Sequence, residues 1–243
     1  MKQMLLIPIM LVNILMAQAT TLFFSEYAEG SSSNKYLEIF NGTGADVDLS
    51  GYSLSSCSNG CDNTGEFDYP DNVTFDSGTT VADGDVYVVC HGSADASILA
   101  ECDETFTYLS NGDDHFALTV AGATASSYTI IDIIGDDDLG DSPGSGWDVA
   151  GTTNGTKDHT LVRKPSVTAG NTNWSDAAGG ASGSTVADSS EWIVHDNETW
   201  TYLGSHTMDT TIVASPAISI SSPSEGSTIY STDVTVSFTV SNF

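Results

Sequence analysis

Basic residues are nearly absent from this chain. Lys and Arg together number 5 in 243 residues, against 33 Asp and Glu, for a formal net charge of -28. Such a chain has almost nothing with which to neutralise phosphates, which excludes direct nucleic-acid binding. It also lacks a polybasic patch for an anionic membrane surface. Proline is scarce, at 6 residues, so neither a proline-rich linker nor a collagen-like repeat fits. Beyond the N-terminus no apolar run approaches the roughly 18 residues that read as a membrane span. No long segment keeps a helical apolar period.

The N-terminus is the exception. Met1 to Ala19 reads MKQMLLIPIMLVNILMAQA. Lys2 supplies a positive start, an apolar run follows with Asn13 as its interruption, and Ala17-Gln18-Ala19 is a small-residue cleavage site. This pattern is that of a secretory signal peptide, so the protein is expected to be secreted or displayed at the cell surface, with no membrane span after cleavage. Cysteine usage agrees. Cys57, Cys61, Cys90 and Cys102 are an even set for an oxidising compartment. Three connectivities exist. Cys57–Cys61 would close the turn at 58–60, and Cys90–Cys102 would staple a loop between neighbouring strands, so these pairs are preferred. The alternative is a zinc site of all four, but the gap between Cys90 and Cys102 is unlike the paired short spacings of zinc ribbons.

The rest of the chain is a series of short runs rich in β-branched and aromatic residues, separated by Gly, Asn, Asp and Ser. They cover 22–28, 35–41 (KYLEIFN), 51–55, 73–75, 86–91 (VYVVCH), 115–120, 127–134 (SYTIIDII), 160–164, 191–195 and 199–203. The run at 127–134 is apolar on both faces and reads as a central strand. The count and spacing predict an all-β fold, an immunoglobulin-like β-sandwich. Stretches 56–71, 136–158 and 168–190 read as long polar loops, the last with little to pack. Residues 20–207 then form one domain and 208–216 a linker. In 217–243, Ile218 and Ile220, then Val234, Val236, Phe238 and Val240, alternate with polar residues. Two or three strands cannot bury a core. This segment is therefore expected to open a second, Ig-like domain of a longer protein.

The stretch LFFSEYAEGSSSNKYLEIFNGTGADVDLSGYSL from Leu22 resembles a bacterial lamin-tail domain. GDVYVVCHGSAD from Gly84, LSNGDDHFAL from Leu109, IDIIG from Ile131, TLVRK from Thr160 and SEWIV from Ser190 continue the resemblance in order, over roughly residues 22–206. It implies an immunoglobulin-like sandwich and a non-catalytic accessory module. In bacteria such domains stand at the N-terminus of secreted multidomain proteins, often beside extracellular nucleases or phosphoesterases. ISISSPSEGSTIYSTDVTVSFTV, towards the C-terminus, resembles the start of a bacterial surface Ig-like repeat.

Several motifs invite a chemical reading. Gly140 to Gly144 matches G-x-S-x-G, but Pro143 and the glycines that follow cannot open the helix that a nucleophile elbow needs, so Ser142 is read as a loop residue. Asp46-Val47-Asp48 imitates the start of an EF-hand, yet Cys57 stands where the loop's final Glu belongs. The better candidate for calcium is the carboxylate run Asp136, Asp137, Asp138 and Asp141, whose hard oxygens would lose mutual repulsion around a divalent cation; a solvated acidic loop is the plainer alternative. Asp132 sits in an apolar strand and must be hydrogen-bonded or paired, with the N–H groups of the following loop as the expected partners. His91, His115, His159, His195 and His206 show no metal-binding spacing. Trp174 and Trp200 are the residues that would stack on sugars, although core burial of at least one competes. No catalytic residue and no cofactor other than calcium is assigned. The expected function is a secreted, non-catalytic module for adhesion, targeting or interaction, its partner an extracellular protein or glycan. The alternatives are an accessory domain of a secreted nuclease or phosphoesterase, and a carbohydrate-binding module.

Overall fold

The computed structural model describes residues 20–136, 138–140, 142–209, 217–222 and 236–241. The expected signal peptide at 1–19, most of the expected linker, Val234, Asp137 and Asp141 lie outside them. Residues 20–209 belong to one compact unit. Its strands are β1 (Phe23–Glu29), β2 (Lys35–Asn41), β3 (Val47–Asp48), β4 (Tyr52–Cys57), β5 (Tyr69–Thr74), β6 (Thr80–Val81), β7 (Asp85–Cys90), β8 (Glu104–Thr105), β9 (His115–Val120), β10 (Ile130–Ile134), β11 (His159–Arg163) and β12 (Trp192–Asp196). Two short helices, α1 (Ala96–Leu99) and α2 (Trp174–Ala178), interrupt them. In the other unit, β13 (Ala217–Ser222) and β14 (Ser237–Ser241) pair antiparallel, with Ile218 opposite Val240 and Ile220 opposite Phe238.

The fold is an immunoglobulin-like β-sandwich. One sheet has six strands in the order β12-β11-β1-β2-β7-β8, the other four in the order β10-β9-β4-β5. Alternation along each strand decides which residues meet between them. Phe24, Tyr27, Leu37, Ile39, Val89 and Leu161 from the larger sheet join Leu54, Phe116, Leu118 and Ile133 from the smaller in one core. The six-stranded sheet is buried on its outer face as well. There Phe23 and Phe40 pack with His206, and Tyr36, Val88 and Cys90 pack with Ile98, Trp200 and Leu203. The covering residues come from α1 and from the segment after β12. All seven residues of β1 and all seven of β2 are therefore buried, polar ones included.

Three expectations about local structure fail for physical reasons. Residues 199–203 form turns, not a strand: Trp200 and Leu203 are spent on the outer face of the large sheet, where their contacts are to side chains and not to a neighbouring strand. The apolar run at 127–134 yields a strand only from Ile130, and it is an edge, not a centre. Its apolarity on both faces arises because the loop around Gly170 lies against it. Ile133 N–H donates to the Asn171 carbonyl at 3.3 Å, and a Cβ on Gly170 would stand 2.8 Å from Asp132 Cβ and closer still to the Ile131 carbonyl oxygen. Finally, 168–190 does pack. Asn173 caps α2 by accepting from Asp176 N–H, Gly179 ends it in the left-handed region at φ 91°, and Trp174, Ala177 and Ala178 enter the core.

Asp132 is the pivot between the sheets. A bulge at Ile131 in β10 and another at Ser25 in β1 turn the two strands towards one another. Phe24 lies just beyond the pairing of β1 with β11, so its N–H has no ladder partner and donates to Asp132 Oδ2 at 2.8 Å. Asn171 N–H donates to Oδ1 at 2.9 Å. Arg163 Nη2, from β11, lies 2.7 and 2.8 Å from the two oxygens, and both side chains are fully buried. The Trp192 ring covers the guanidinium at 4.3 Å, directly across the β11–β12 pair. The expected partners, N–H groups of the loop that follows β10, make none of these bonds: the donors come from β1, from β10 itself at Ile133, from the distant loop at Asn171 and from Arg163, because the fold carries these elements to the carboxylate.

The seating of the 168–173 loop gives a test. Gly170→Ala places a methyl group against backbone, and such overpacking costs about 1–3 kcal/mol. Urea unfolding of residues 18–209 should show a loss of that size. An unchanged midpoint would mean that the loop does not seal the β10 edge.

Candidate functional site

The ionisable groups that chemistry would use are gathered at three places: the covered face of the large sheet, the loop after β10, and a cleft between two sheet edges. On the covered face, Glu26 and Glu38 stand directly opposite one another in the β1–β2 pair, both at 1% exposure or less. Tyr36 Oη donates to Glu26 Oε1 at 2.5 Å. Glu38 accepts from Ser25 Oγ and from Gly204 N–H, each at 2.7 Å, which fastens the segment after β12 onto the sheet. Glu26 Oε2 is buried without a hydrogen-bond partner. Two carboxyl groups side by side out of water cannot both ionise cheaply. Burial, with Glu38 adding to it, pushes the Glu26 pKa up to about 8; burial, with Glu101 and Asp103 adding to it, pushes Glu38 up to about 7. Sequence reading missed this pair. The signal was Glu38 between Tyr36 and Phe40 on the face opposite Leu37 and Ile39: a carboxylate flanked by aromatics marks a covered face.

In the loop after β10, Asp136 and Asp138 both approach Gly140. A Cβ on that glycine would lie 2.8 Å from Asp138 Oδ1 and 3.8 Å from Asp136 Oδ2. Leu139, between Asp138 and Gly140, is fully buried, and the loop's carbonyls tie it to the first disulfide loop: Gly140 accepts from Cys61 N–H and Asp138 from Gly65 N–H, both at 3.1 Å. Asp137 and Asp141, the other half of the expected calcium ligands, lie outside the described residues. Ser142 Oγ donates to Asp113 and accepts from Gly144 N–H, the geometry of a turn. Asp48 caps a short 3-10 turn by accepting from Ser50 N–H at 2.9 Å.

The four cysteines are joined as Cys57–Cys61 and Cys90–Cys102, with S–S distances of 2.09 and 2.05 Å. Cys57, Cys61 and His115 do converge within 4.8 Å, but both sulfurs are spent in the bond, which leaves no thiolate for zinc. His115 packs edge-on against Trp147 at 4.9 Å, and burial holds its pKa down at about 4. His206, between Phe23 and Phe40, is held down to about 4 by burial and by Arg163. Trp174 is in the core and Trp200 is half-buried on the outer face, so neither is the open platform that sugar stacking would need. Among the described residues the most exposed aromatics are instead Tyr69 and Tyr108, at 51% and 78%, ahead of Tyr202. Tyr69 begins β5, the edge of the small sheet, and Tyr108 follows β8, the edge of the large one. With Asn72 they line a cleft of about 420 Å³. Composition had no way to place these two rings together.

Comparison with known proteins gives one result. Residues 16–132 match the family model described as Lamin Tail Domain. No curated protein and no solved structure matches the chain. The match runs from before β1 to Asp132 and stops before β11, so the motifs at Thr160 and Ser190 lie outside it.

The buried pair sets the pH response. Glu26 and Glu38 favour the protonated form in the fold. Their contribution is complete below the ordinary carboxyl value of 4.5 and is lost as pH rises through about 7 and then about 8. The two histidines act oppositely: their contribution is complete above 6.5 and is lost as pH falls through about 4. Between pH 6.5 and 8 these carboxyls lower stability as pH rises, by on the order of 2 kcal/mol. Glu26→Gln should flatten that slope in urea titrations, and an unaltered slope would show that the pair does not titrate there.

Proposed function

We propose that the lamin tail domain carried by this chain is a non-catalytic interaction module of an exported protein, attaching it to a neutral or basic extracellular surface, glycan or protein. The family is an Ig-like domain without enzymatic chemistry of its own, which supports a binding role. Two disulfides fit an oxidising, extracellular setting. Among the described residues no helix is long and apolar enough to cross a membrane.

The observation that carries the reading is the cleft between Tyr69 and Tyr108. The chain buries both faces of its large sheet with its own residues, yet leaves two tyrosine rings open beside a cleft at the sheet edges. Tyrosine offers an apolar face and a polar tip at little entropic cost, which suits recognition of a sugar face or a partner side chain. Glu104 and Asp71 stand nearby in sequence, and the net charge of -28 repels phosphate and sulfate groups. The ligand should therefore be neutral or cationic.

A glycan array and a surface-protein pull-down with residues 18–209 test this. Binding should fall at least tenfold, about 1.4 kcal/mol, for Tyr69→Ala with Tyr108→Ala, while the unfolding midpoint stays near the parent's. Equal binding by parent and double variant, or a ligand set made of polyanions, would remove the cleft from the account.

A further inference from the structure

Among the described residues Lys35 is the one buried lysine: it is 6% exposed, at the first position of β2. Directly across the β1–β2 pair stands Glu29, 7% exposed, whose Oε1 is 3.0 Å from Lys35 Nζ. Nζ also donates to the Ser110 carbonyl and to Asn111 Oδ1, both at 2.7 Å. The amine is thus held against a carboxylate on one side and against a carboxamide, one bond from its carbon, on the other. Asn111 comes from the loop leading into β9, in the other sheet.

The loop is held still. Asn111 N–H donates to Asp114 Oδ2 at 3.2 Å, Asp114 Oδ1 accepts from Asn59 N–H at 2.6 Å, and Gly112 N–H donates to Ser110 Oγ at 2.9 Å. That last bond matters chemically. The nitrogen after an asparagine is the usual intramolecular nucleophile towards its side chain, and here it faces Ser110 instead. Glu29 is fixed too, since its Oε2 accepts from Asp158 N–H at 2.6 Å. The hydrogen bond to Oδ1 keeps the amine beside the carboxamide it would attack, so the encounter needs no diffusion, and a lysine removed from water serves as a nucleophile once a neighbouring base takes its proton.

We propose that Lys35 and Asn111 join spontaneously in an amide cross-link between the two sheets, with Glu29 moving the protons. Glu29 takes a proton from Nζ. The free amine attacks Asn111 Cγ, forming the N–C bond, and the Cγ–Nδ2 bond breaks. The departing nitrogen receives the proton from Glu29 and the second hydrogen of the attacking amine, and it leaves as ammonium. Glu29 begins and ends as a carboxylate, one secondary amide replaces one primary amide, and no oxidant or co-reactant is needed.

Peptide mapping tests this directly. The full chain is purified, reduced, alkylated and digested with chymotrypsin. The expected product is a branched pair of peptides, containing Lys35 and Asn111, lighter than their sum by one ammonia. Asn111→Ala, a change in an exposed residue, should return the Lys35 peptide to its linear form, and Glu29→Gln should do the same with both reacting residues intact. Linear, unmodified Lys35 and Asn111 peptides from the parent chain would overturn the proposal and leave Lys35 as a buried ion pair. So would loss of ammonia at Asn111 that persists in Lys35→Arg, since that is succinimide formation by Gly112.

Discussion

Asp132 brings a carboxylate into the seam between two sheets, where no water reaches it, and most of the sandwich is arranged to accept it. Burial pushes its pKa up, while Arg163, Asn171 and Phe24 pull it down by donating to it. A buried pair of this kind is weak evidence for stability in itself, but removing one member leaves an uncompensated charge. Each donor belongs to a different element: β1, β11 and the loop before α2. The pair therefore fixes where the small sheet sits on the large one, and it explains why β1 and β10 both bulge at the point where they meet. Trp192 then roofs the guanidinium with its ring, which ties β12 to the same point.

The two covered faces follow from the same economy of elements. The large sheet presents its inner face to the small sheet and its outer face to α1 and the segment after β12. Glu26, Glu38, Lys35 and Arg163 are buried because β1, β2 and β11 have no exposed side on which to place them. Lys35 and Asp132 lie near opposite ends of β1, so polar ties join the sheets at both ends while apolar residues fill the middle. The tyrosine cleft proposed for a partner lies at the rim of the sandwich. There the edges β5 and β8 carry the open tyrosines, and the loop after β10 carries Asp136 and Asp138.

Much of this was legible in the sequence. Alternation in KYLEIFN and HFALTV, and the β-branched run VYVVCH, gave strands with the right boundaries to within a residue or two, and the all-β class followed. Pattern reading failed where a residue's environment is set by something distant. The run SYTIIDII looks central because it is apolar on both faces, yet what covers it is a glycine-containing loop from some forty positions later. Asp132 showed that it needed a partner, but nothing local could say that the partner is Arg163. The cap–helix–glycine signal in NWSDAAG was present and went unread because Gly, Ser and Ala dominate the surrounding stretch. The tyrosine cleft and the Glu26–Glu38 pair exist only through strand pairing, which single-chain periodicity does not reveal.

A double-mutant cycle on Asp132 and Arg163, read by urea unfolding of residues 18–209, tests the central constraint most directly. If the pair sets the sheet-to-sheet seam, Arg163→Met and Asp132→Asn should each cost about 3–5 kcal/mol. The double variant should cost well under their sum, with a coupling of about 1.5 kcal/mol or more. Additive single effects of less than about 1 kcal/mol would contradict it, and the sandwich would then be held by its apolar core alone.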